Sequence, residues 1–299
     1  MTAVAVLGLG RMGAAMAGRL ASCGFDVVVY NRSADRAREL AATIGARHAA
    51  TPAQAVAGTA VAITMLSDDA AVQEVFSADS GLLAGLDGRT VAVDMSTVLP
   101  TTIQGLETAV RATGAGLLDA PVSGSVATAT SGALTVMVGG EAADLERARP
   151  VFDALAKHVV HVGPLGSGAT VKLAVNAIVF GLSEALSEAL VLAEKAGVDR
   201  AAAYDVFRAS AVGAPFLEYK RAAFLEPATT PTAFALELAE KDLRLILELA
   251  GRGGASMPQA QTNIDMVRAA AADDPGRDFS AVAGFLRGTT AAAKPGGDH

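Results

Sequence analysis

Apolar and polar positions alternate along this chain with two different periods, and the change comes just past the middle. Residues 3–7 (AVAVL) are a short apolar, β-branched run, the pattern of a strand buried on both faces. After GLGRMG, the stretch AAMAGRLASCG reads as a helix ending at Gly24, and residues 26–30 (DVVVY) read as a second strand. Strand and helix then keep alternating. Residues 61–66, 91–94, 116–119, 134–138 and 158–162 predict strands; residues 34–45, 101–112, 142–157 and a stretch opening at 69 predict helices. Such a succession predicts an α/β fold with a doubly wound, mostly parallel sheet. Ligands bind such a sheet at the carboxyl ends of its strands, where Met65, Leu66, Ser96 and Thr97 fall.

Gly163-Pro164 punctuates the chain, and residues 166–195 then read as one long helix. At ~1.5 Å per residue it is about 40 Å long. Apolar residues fall on nearly every side of it, at Val171, Leu173, Ile178, Val179, Leu182, Leu186, Leu190 and Leu192, which predicts a helix covered all round. Beyond it only helical periodicity is convincing, over residues 201–209, 215–224, 234–250, 258–272 and 279–287. The expected organisation is a sheet domain over 1–163, an all-helical domain over 164–288 joined through the long helix, and a flexible tail over 289–299. Short helices that cannot cover the long one within a single chain predict a homodimer or homotetramer.

Composition narrows the partners. The formal charge of −7 argues against nucleic acid and against an anionic membrane surface. No apolar run escapes interruption by Lys, Asp, Gly or Ser for the length of a bilayer, and the N-terminus enters a strand with no visible leader. The single Cys23 rules out an internal disulfide and fits a reducing compartment, so a cytoplasmic protein is expected. His158 and His161 have no Cys or carboxylate at ligand spacing, and no metal site is expected.

The chemistry-bearing stretches are four. Gly8, Gly10 and Gly13 stand at G-x-G-x-x-G spacing between a strand and a helix, the context a dinucleotide fingerprint requires. The loop they frame, with Leu9, Arg11 and Met12, is the expected pyrophosphate cradle, aided by the helix N-terminus. The second strand ends in Asn31-Arg32-Ser33, with Arg36 one turn on; no acid stands where a ribose 2′-hydroxyl is usually held. Two guanidiniums can pair with a 2′-phosphate, which favours NADP (NADPH) with NAD as a secondary cofactor; otherwise both arginines are ordinary surface residues. In DAPVSG, Ser123 and Gly124 form a polar loop able to present a hydroxyl and N–H groups to a carboxylate, or merely a connecting turn. Lys172 and Asn176 share a face of the long helix, either snorkelling and bonding locally or doing chemistry. Lys241-Asp242 sits within a later helix, where such a pair is commonly solvated.

Together these stretches resemble the β-hydroxyacid dehydrogenase family, which includes 3-hydroxyisobutyrate dehydrogenase, tartronate semialdehyde reductase and the glyoxylate and succinic semialdehyde reductases. The resemblance spans residues 3–288. It rests on GLGRMGAAMAGRL, on DAPVSG with Ala129, Gly132, Leu134 and Gly139-Gly140, on Gly168-x-x-x-Lys172-x-x-x-Asn176, and on Lys241-Asp242-Leu243. It implies hydride transfer between the nicotinamide cofactor and a small carboxylate-bearing aldehyde, ketone or hydroxy acid. Lys172 would be the catalytic acid/base and Asn176 its companion, with Ser123 and Gly124 holding substrate. Met65, Leu66, Thr97 and Lys241 would line the nicotinamide side. Two departures stand out. Ser125 replaces a glycine many members carry, so it either narrows the carboxylate site or adds a hydroxyl contact. The segment 210–216 lacks the tryptophan that some members place there. Val175, where the decarboxylating relatives carry histidine, argues against their chemistry. An imine-reductase-like enzyme and a non-catalytic cofactor-binding module remain alternatives.

Overall fold

A computed structural model describes residues 2–289. Met1 and residues 290–299, most of the expected tail, lie outside the described residues. Contacts divide the chain into two units, one ending at Leu173 and one beginning at Ala174, so the division falls inside the long helix rather than at Gly163-Pro164.

The first unit alternates as the pattern predicts. Its elements are β1 (Ala3–Leu7), α1 (Arg11–Ser22), β2 (Asp26–Tyr30), α2 (Ala34–Ile44), β3 (Arg47–His48), α3 (Pro52–Val56), β4 (Val61–Thr64), α4 (Asp69–Ser77), β5 (Val91–Asp94), α5 (Pro100–Gln104), α6 (Glu107–Ala112) and β6 (Gly116–Asp119). There follow β7 (Val122–Ser123), α7 (Val126–Ser131), β8 (Leu134–Gly140), α8 (Ala142–Leu155), β9 (Ala156–Gly163) and the start of α9 (Ser167–Lys195). One nine-stranded sheet runs β3-β2-β1-β4-β5-β6-β8, with β7 also on β8. Strands β1 to β6 are parallel; β8 is antiparallel to β6 and β7 and parallel to β9.

Side chains alternate across the sheet because the strand period is two. Val4 and Val6 enter one core with Val27, Val29, Ile63 and Val93, closed by Met16 and Leu20 of α1 and Phe152 of α8. Ala5 and Leu7 enter the other with Val28, Ala62 and Ala92, closed by Val56, Val72, Phe76, Ile103 and Val110. Helices therefore cover both faces, as a doubly wound sheet requires. Each fully buried aliphatic or Phe side chain is worth about 1.5–3 kcal/mol. The single helix expected over 101–112 is two short ones, broken at Gly105-Leu106.

The second unit contains the rest of α9, then α10 (Arg200–Ala209), α11 (Pro215–Leu225), α12 (Leu236–Gly253), α13 (Pro258–Ala271), a 3-10 turn (Phe279–Ala281) and α14 (Val282–Gly288). Among the described residues its only strand-like feature is an isolated bridge between Ala235 and Asp278. Phe180, Phe216, Phe234 and Phe279 form an aromatic cluster with centroids 5.7–6.2 Å apart. Lys220 is paired with Asp278 at 2.7 Å and lies 4.4 Å over the Phe279 ring.

Within one chain the long helix is covered on one side: Leu173, Asn176, Phe180, Ser183, Ser187 and Leu190 lie on its buried stripe, while Ile178 and Leu192, where cover was expected from a second copy, are 72% and 73% exposed. A stripe of this period is what packing on one side produces. By length and composition the helix could cross a membrane. Glu184 and Glu188 at its middle oppose that, since a carboxylate at bilayer depth is costly.

Candidate active site

The turn after β1 is built around close approaches. Gly8 has φ +93°, and a Cβ there would stand 2.3 Å from the Met65 carbonyl oxygen. A Cβ on Gly13 would stand 2.0 Å from the Gly8 carbonyl oxygen, so α1 presses against the turn. Gly10 differs: a Cβ there would meet nothing within 4 Å. It is the N-cap of α1, no side chain caps the helix, and its first turn holds no acid. The N–H groups of Arg11, Met12 and Gly13 open that first turn, where an α-helix has no partners of its own. The arrangement suits a pyrophosphate.

Asn31 fastens this turn to the end of β2. Its Oδ1 accepts the Leu9 N–H at 3.1 Å, and its Nδ2 donates to the Ser33 carbonyl at 3.4 Å. Ser33 occupies the N-cap of α2, but its hydroxyl makes no capping bond. Arg32 and Arg36 are exposed, and neither is in an ion pair among the described residues. Asp35 between them, an acid the strand-end reading did not weigh, is paired with Arg38. These residues fit a nicotinamide dinucleotide.

At the next strand ends a buried hydroxyl–carboxyl network sets the loops. Thr64 Oγ1 and Ser96 Oγ donate to Asp94 Oδ1 at 2.6 and 2.8 Å, and the Leu66 N–H donates to Ser96 Oγ at 2.9 Å. Burial pushes the Asp94 carboxyl up to about 6, against those hydroxyl bonds, and the Asp119 charge adds to it. Met65, Leu66 and Thr97, all half-buried, are carried on these loops.

The Ser123-Gly124 loop follows β7. Gly124 has φ +146°, and a Cβ there would stand 2.4 Å from Thr128 Oγ1. Ser125 caps α7. Its N–H donates to Thr128 Oγ1 at 2.7 Å, and its Oγ accepts the Thr128 N–H at 3.3 Å. The Ser125 N–H is thus occupied within the loop, in which Ser123 is half-buried and Gly124 exposed.

Lys172 and Asn176, the expected acid/base and its companion, stand on α9. Half-buried Lys172 belongs to the first unit, and Asn176 follows four residues later on the same face. In the second unit Asn176 Nδ2 donates to Asp242 Oδ2 at 2.7 Å, and Lys241 Nζ lies 2.9 Å from Asp242 Oδ1. That second contact is ionic rather than a well-aligned hydrogen bond. Asp242 is 2% exposed, so the Lys-Asp pair is an internal tie and not a solvated face. Sequence reasoning gave Asp242 no role, because its partner lies 66 residues away.

Two further side chains escaped the sequence reading. Asp119 accepts the Gly166 N–H at 2.8 Å and the Ala169 N–H at 2.7 Å, across 47 and 50 residues. Asp94 stands beside it in register on the neighbouring strand. Asp119 was quoted as the first residue of DAPVSG without a role of its own, and Asp94 had only its place at a strand end to suggest one.

Comparison with known proteins agrees with this geometry. Residues 3–163 match the family model for the NAD-binding domain of 6-phosphogluconate dehydrogenase. Residues 166–286 match that for the NAD-binding region of NADP-dependent 3-hydroxyisobutyrate dehydrogenase. The chain is 35% identical to glyoxylate/succinic semialdehyde reductase 1 of Arabidopsis thaliana over 280 residues, covering 93% of this chain and 96% of that one. It is 34% identical to an NAD-dependent L-serine dehydrogenase of Pseudomonas aeruginosa, covering 90% and 92%. The solved 3-hydroxyisobutyrate dehydrogenase of Mycobacterium tuberculosis with L-serine superimposes with TM-score 0.83 at 32% identity, over 96% and 99% of the two chains. An imine reductase of Myxococcus stipitatus, 21% identical with TM-score 0.62, shares the fold alone.

Proposed function

The chain belongs to the β-hydroxyacid dehydrogenase family, oxidoreductases that move hydride between a nicotinamide cofactor and a small hydroxy acid or semialdehyde, and from that premise we propose its cofactor, its proton donor and its assembly. The cofactor is NADPH in preference to NADH. The observation that carries this is the pair of exposed guanidiniums, Arg32 and Arg36, with no ionic partner among the described residues. An NAD-dependent name among the relatives makes the strand-end residues of this chain the deciding feature.

When bound, the nicotinamide supplies or receives the hydride. Gly8 to Gly13 hold the pyrophosphate and Arg32 pairs with the 2′-phosphate. Met65, Leu66, Thr97 and Lys241 line the nicotinamide side. Ser123 and the Gly124 N–H receive the substrate carboxylate. Lys172 donates a proton to the carbonyl oxygen during reduction and accepts the hydroxyl proton in the reverse direction. Asn176, its amide nitrogen fastened to Asp242, orients Lys172 and that oxygen. A small semialdehyde or keto acid is the substrate class, and the reaction runs in the cytoplasm.

The assembly is a homodimer or larger. Ile178 and Leu192 leave an apolar face on α9 that a second copy would cover. Light scattering that returned only a 30.0 kDa particle at micromolar concentration would rule this out.

Oxidation of NADPH and NADH across a panel of small semialdehydes and glyoxylate tests the rest. Turnover faster with NADPH is the expected result. NADH used at least as well defeats the cofactor reading, and no turnover on any member favours a binding module without chemistry.

A further inference from the structure

The start of α9 is held in an unusual way. Helices commonly receive a cap from a side chain at their own N-cap position. Here that position is Gly166, which has φ +93° and nothing to offer. A carboxylate from the sheet fills the place. Asp119, the last residue of β6, receives the Gly166 N–H on Oδ1 at 2.8 Å and the Ala169 N–H on Oδ2 at 2.7 Å. The approach is close enough to exclude any side chain at Gly168. A Cβ there would stand 2.4 Å from the Met137 carbonyl oxygen, 2.6 Å from the Asp119 carbonyl oxygen and 3.0 Å from Asp119 Oδ2. Gly139 on β8 is equally tight, with a Cβ position 2.3 Å from Asp119 Oδ1.

Lys172 is four residues after Gly168 and therefore one turn up on the face that Gly168 presses against Asp119. Helix side chains lean back toward the N-terminus, so Lys172 leans toward the turn the carboxylate holds. Asp119 is also four residues before Ser123, on the chain that leads directly into the substrate loop. One 1%-exposed carboxylate thus joins the two stretches that Proposed function assigns to proton transfer and carboxylate recognition.

We infer that Asp119 is a positioning residue for Lys172: it fixes the height and rotation of the first turns of α9 over the strand ends, and its negative charge favours the ammonium form of the lysine above it. The inference rests on Lys172 as proton donor. Asp94, in register on β5 and also buried, is the other acid beside Asp119, and it carries the Thr64 and Ser96 hydroxyls rather than α9.

The test compares Asp119→Asn and Gly168→Ala with wild type. Asn keeps the shape, loses the charge and can accept only through its single oxygen. Ala at 168 keeps the charge and favours helix, but its Cβ must push the turn off the sheet. Three quantities are read: kcat, NADPH affinity by fluorescence, and the pH dependence of acylation of the Lys172 amine, followed by mass spectrometry on the protein without substrate. For Asp119→Asn the expected result is kcat lower by about tenfold or more, NADPH affinity within twofold, and Lys172 titrating about half a unit to one unit lower. Gly168→Ala should lower kcat about tenfold with helix content retained and cofactor affinity unchanged. A purely structural role would lower Tm and leave the Lys172 titration in place. Lys172 titrating as in wild type in folded Asp119→Asn, or wild-type kcat in Gly168→Ala should the first variant not fold, overturns the inference. Lys172→Ala is run alongside: full activity there defeats the proton-donor reading, while the labelling result still judges Asp119 by itself.

Discussion

Two helix starts in the first unit are made from opposite materials. At α1 the N-cap is a glycine, no side chain caps the helix, and the space beside Gly10 is empty to 4 Å. At α9 the N-cap is also a glycine, but an aspartate fills the cap and no Cβ can be accommodated at Gly168. Both starts carry the partial positive charge of a helix N-terminus. The first leaves it for a ligand's phosphates; the second satisfies it internally. Glycine-rich helix entries therefore do not by themselves indicate a ligand. What separates the two is whether a protein acid already sits there. On this reading an open start is available to a ligand, and a closed one makes a rigid base for the residue a turn later.

The sharpest way to break that comparison is Lys172→Ala. If the closed start of α9 exists to carry a proton donor, kcat should fall by about two to four decades, the range for a lost general acid. NADPH should bind as before, since the residues proposed to hold its phosphates, Gly8 to Gly13 and Arg32, are remote from Lys172 in the chain. Lys172→Arg should not rescue, because a guanidinium hardly releases a proton near neutral pH. Steady-state rates on the best substrate from the panel decide it; loss of less than threefold would move the donor elsewhere and leave α9 a structural helix.

The mirror experiment acts at the open start. If Arg32 pairs with the 2′-phosphate, Arg32→Asp removes a charge-assisted bond and adds repulsion, so NADPH affinity should fall about a hundredfold. NADH turnover should hold or improve. Cofactor titration by fluorescence reads both. Equal losses for the two cofactors would mean that the variant had damaged the Gly8–Gly13 turn and not the phosphate discrimination.

What the sequence disclosed follows the same division. The open start was legible because its residues are adjacent in the chain: strand, Gly8, Gly10, Gly13 and helix all fall within one window. The closed start was not, because Asp119 and Ala169 are 50 residues apart and nothing local ties the aspartate that opens DAPVSG to the start of α9. Asp242 was hidden for the same reason, and its lysine neighbour suggested a solvent face that burial contradicts. Short elements were missed on local grounds. β3 is two exposed polar residues, Arg47 and His48, held by pairing with β2. α3 had a readable signal, Thr51 before Pro52, with the threonine capping Gln54 N. α9 was found over its full length, but not which side its own chain covers, because Ile178 and Leu192 look no different in sequence from the buried Leu190.

Farther along α9 a smaller effect concerns stability and its pH dependence. Glu184 is buried, and its Oε1 has no hydrogen-bond partner among the described residues. Burial, with the charge of Glu188 adding, pushes its carboxyl from 4.5 up to about 7. The folded form therefore holds this proton more tightly than the unfolded chain does. Its contribution is favourable below about pH 4.5, declines as the pH rises, and is lost above about pH 7. Glu184→Gln, which resembles the protonated form, should stabilise the protein by about 2 kcal/mol at pH 8 and by nearly nothing at pH 4. Denaturant midpoints at the two pH values measure the difference. An equal gain at both would mean that packing, not the proton, limits this stretch of the helix.

The smallest expected effect belongs to a third helix start, α7, which lies between the other two in kind. Its cap is local: Ser125 and Thr128 bond each other's backbone, and the helix begins two residues after Gly124. Neither a ligand nor a distant acid is needed to close it. Ser125 was expected to narrow the carboxylate site or to add a hydroxyl contact, and its bonds within α7 supply a different reason for a serine there. Ser125→Ala removes an N-cap oxygen and should cost about 1 kcal/mol. The Ser125 N–H still has Thr128 Oγ1, so the Ser123-Gly124 turn should keep its shape. KM for the semialdehyde substrate should then stay within about twofold of wild type, with kcat unchanged. A tenfold rise in KM, about 1.4 kcal/mol, at unchanged kcat would be too large and too selective for a lost cap. It would mean that the hydroxyl reaches the substrate carboxylate, and that α7 shares the open character of α1.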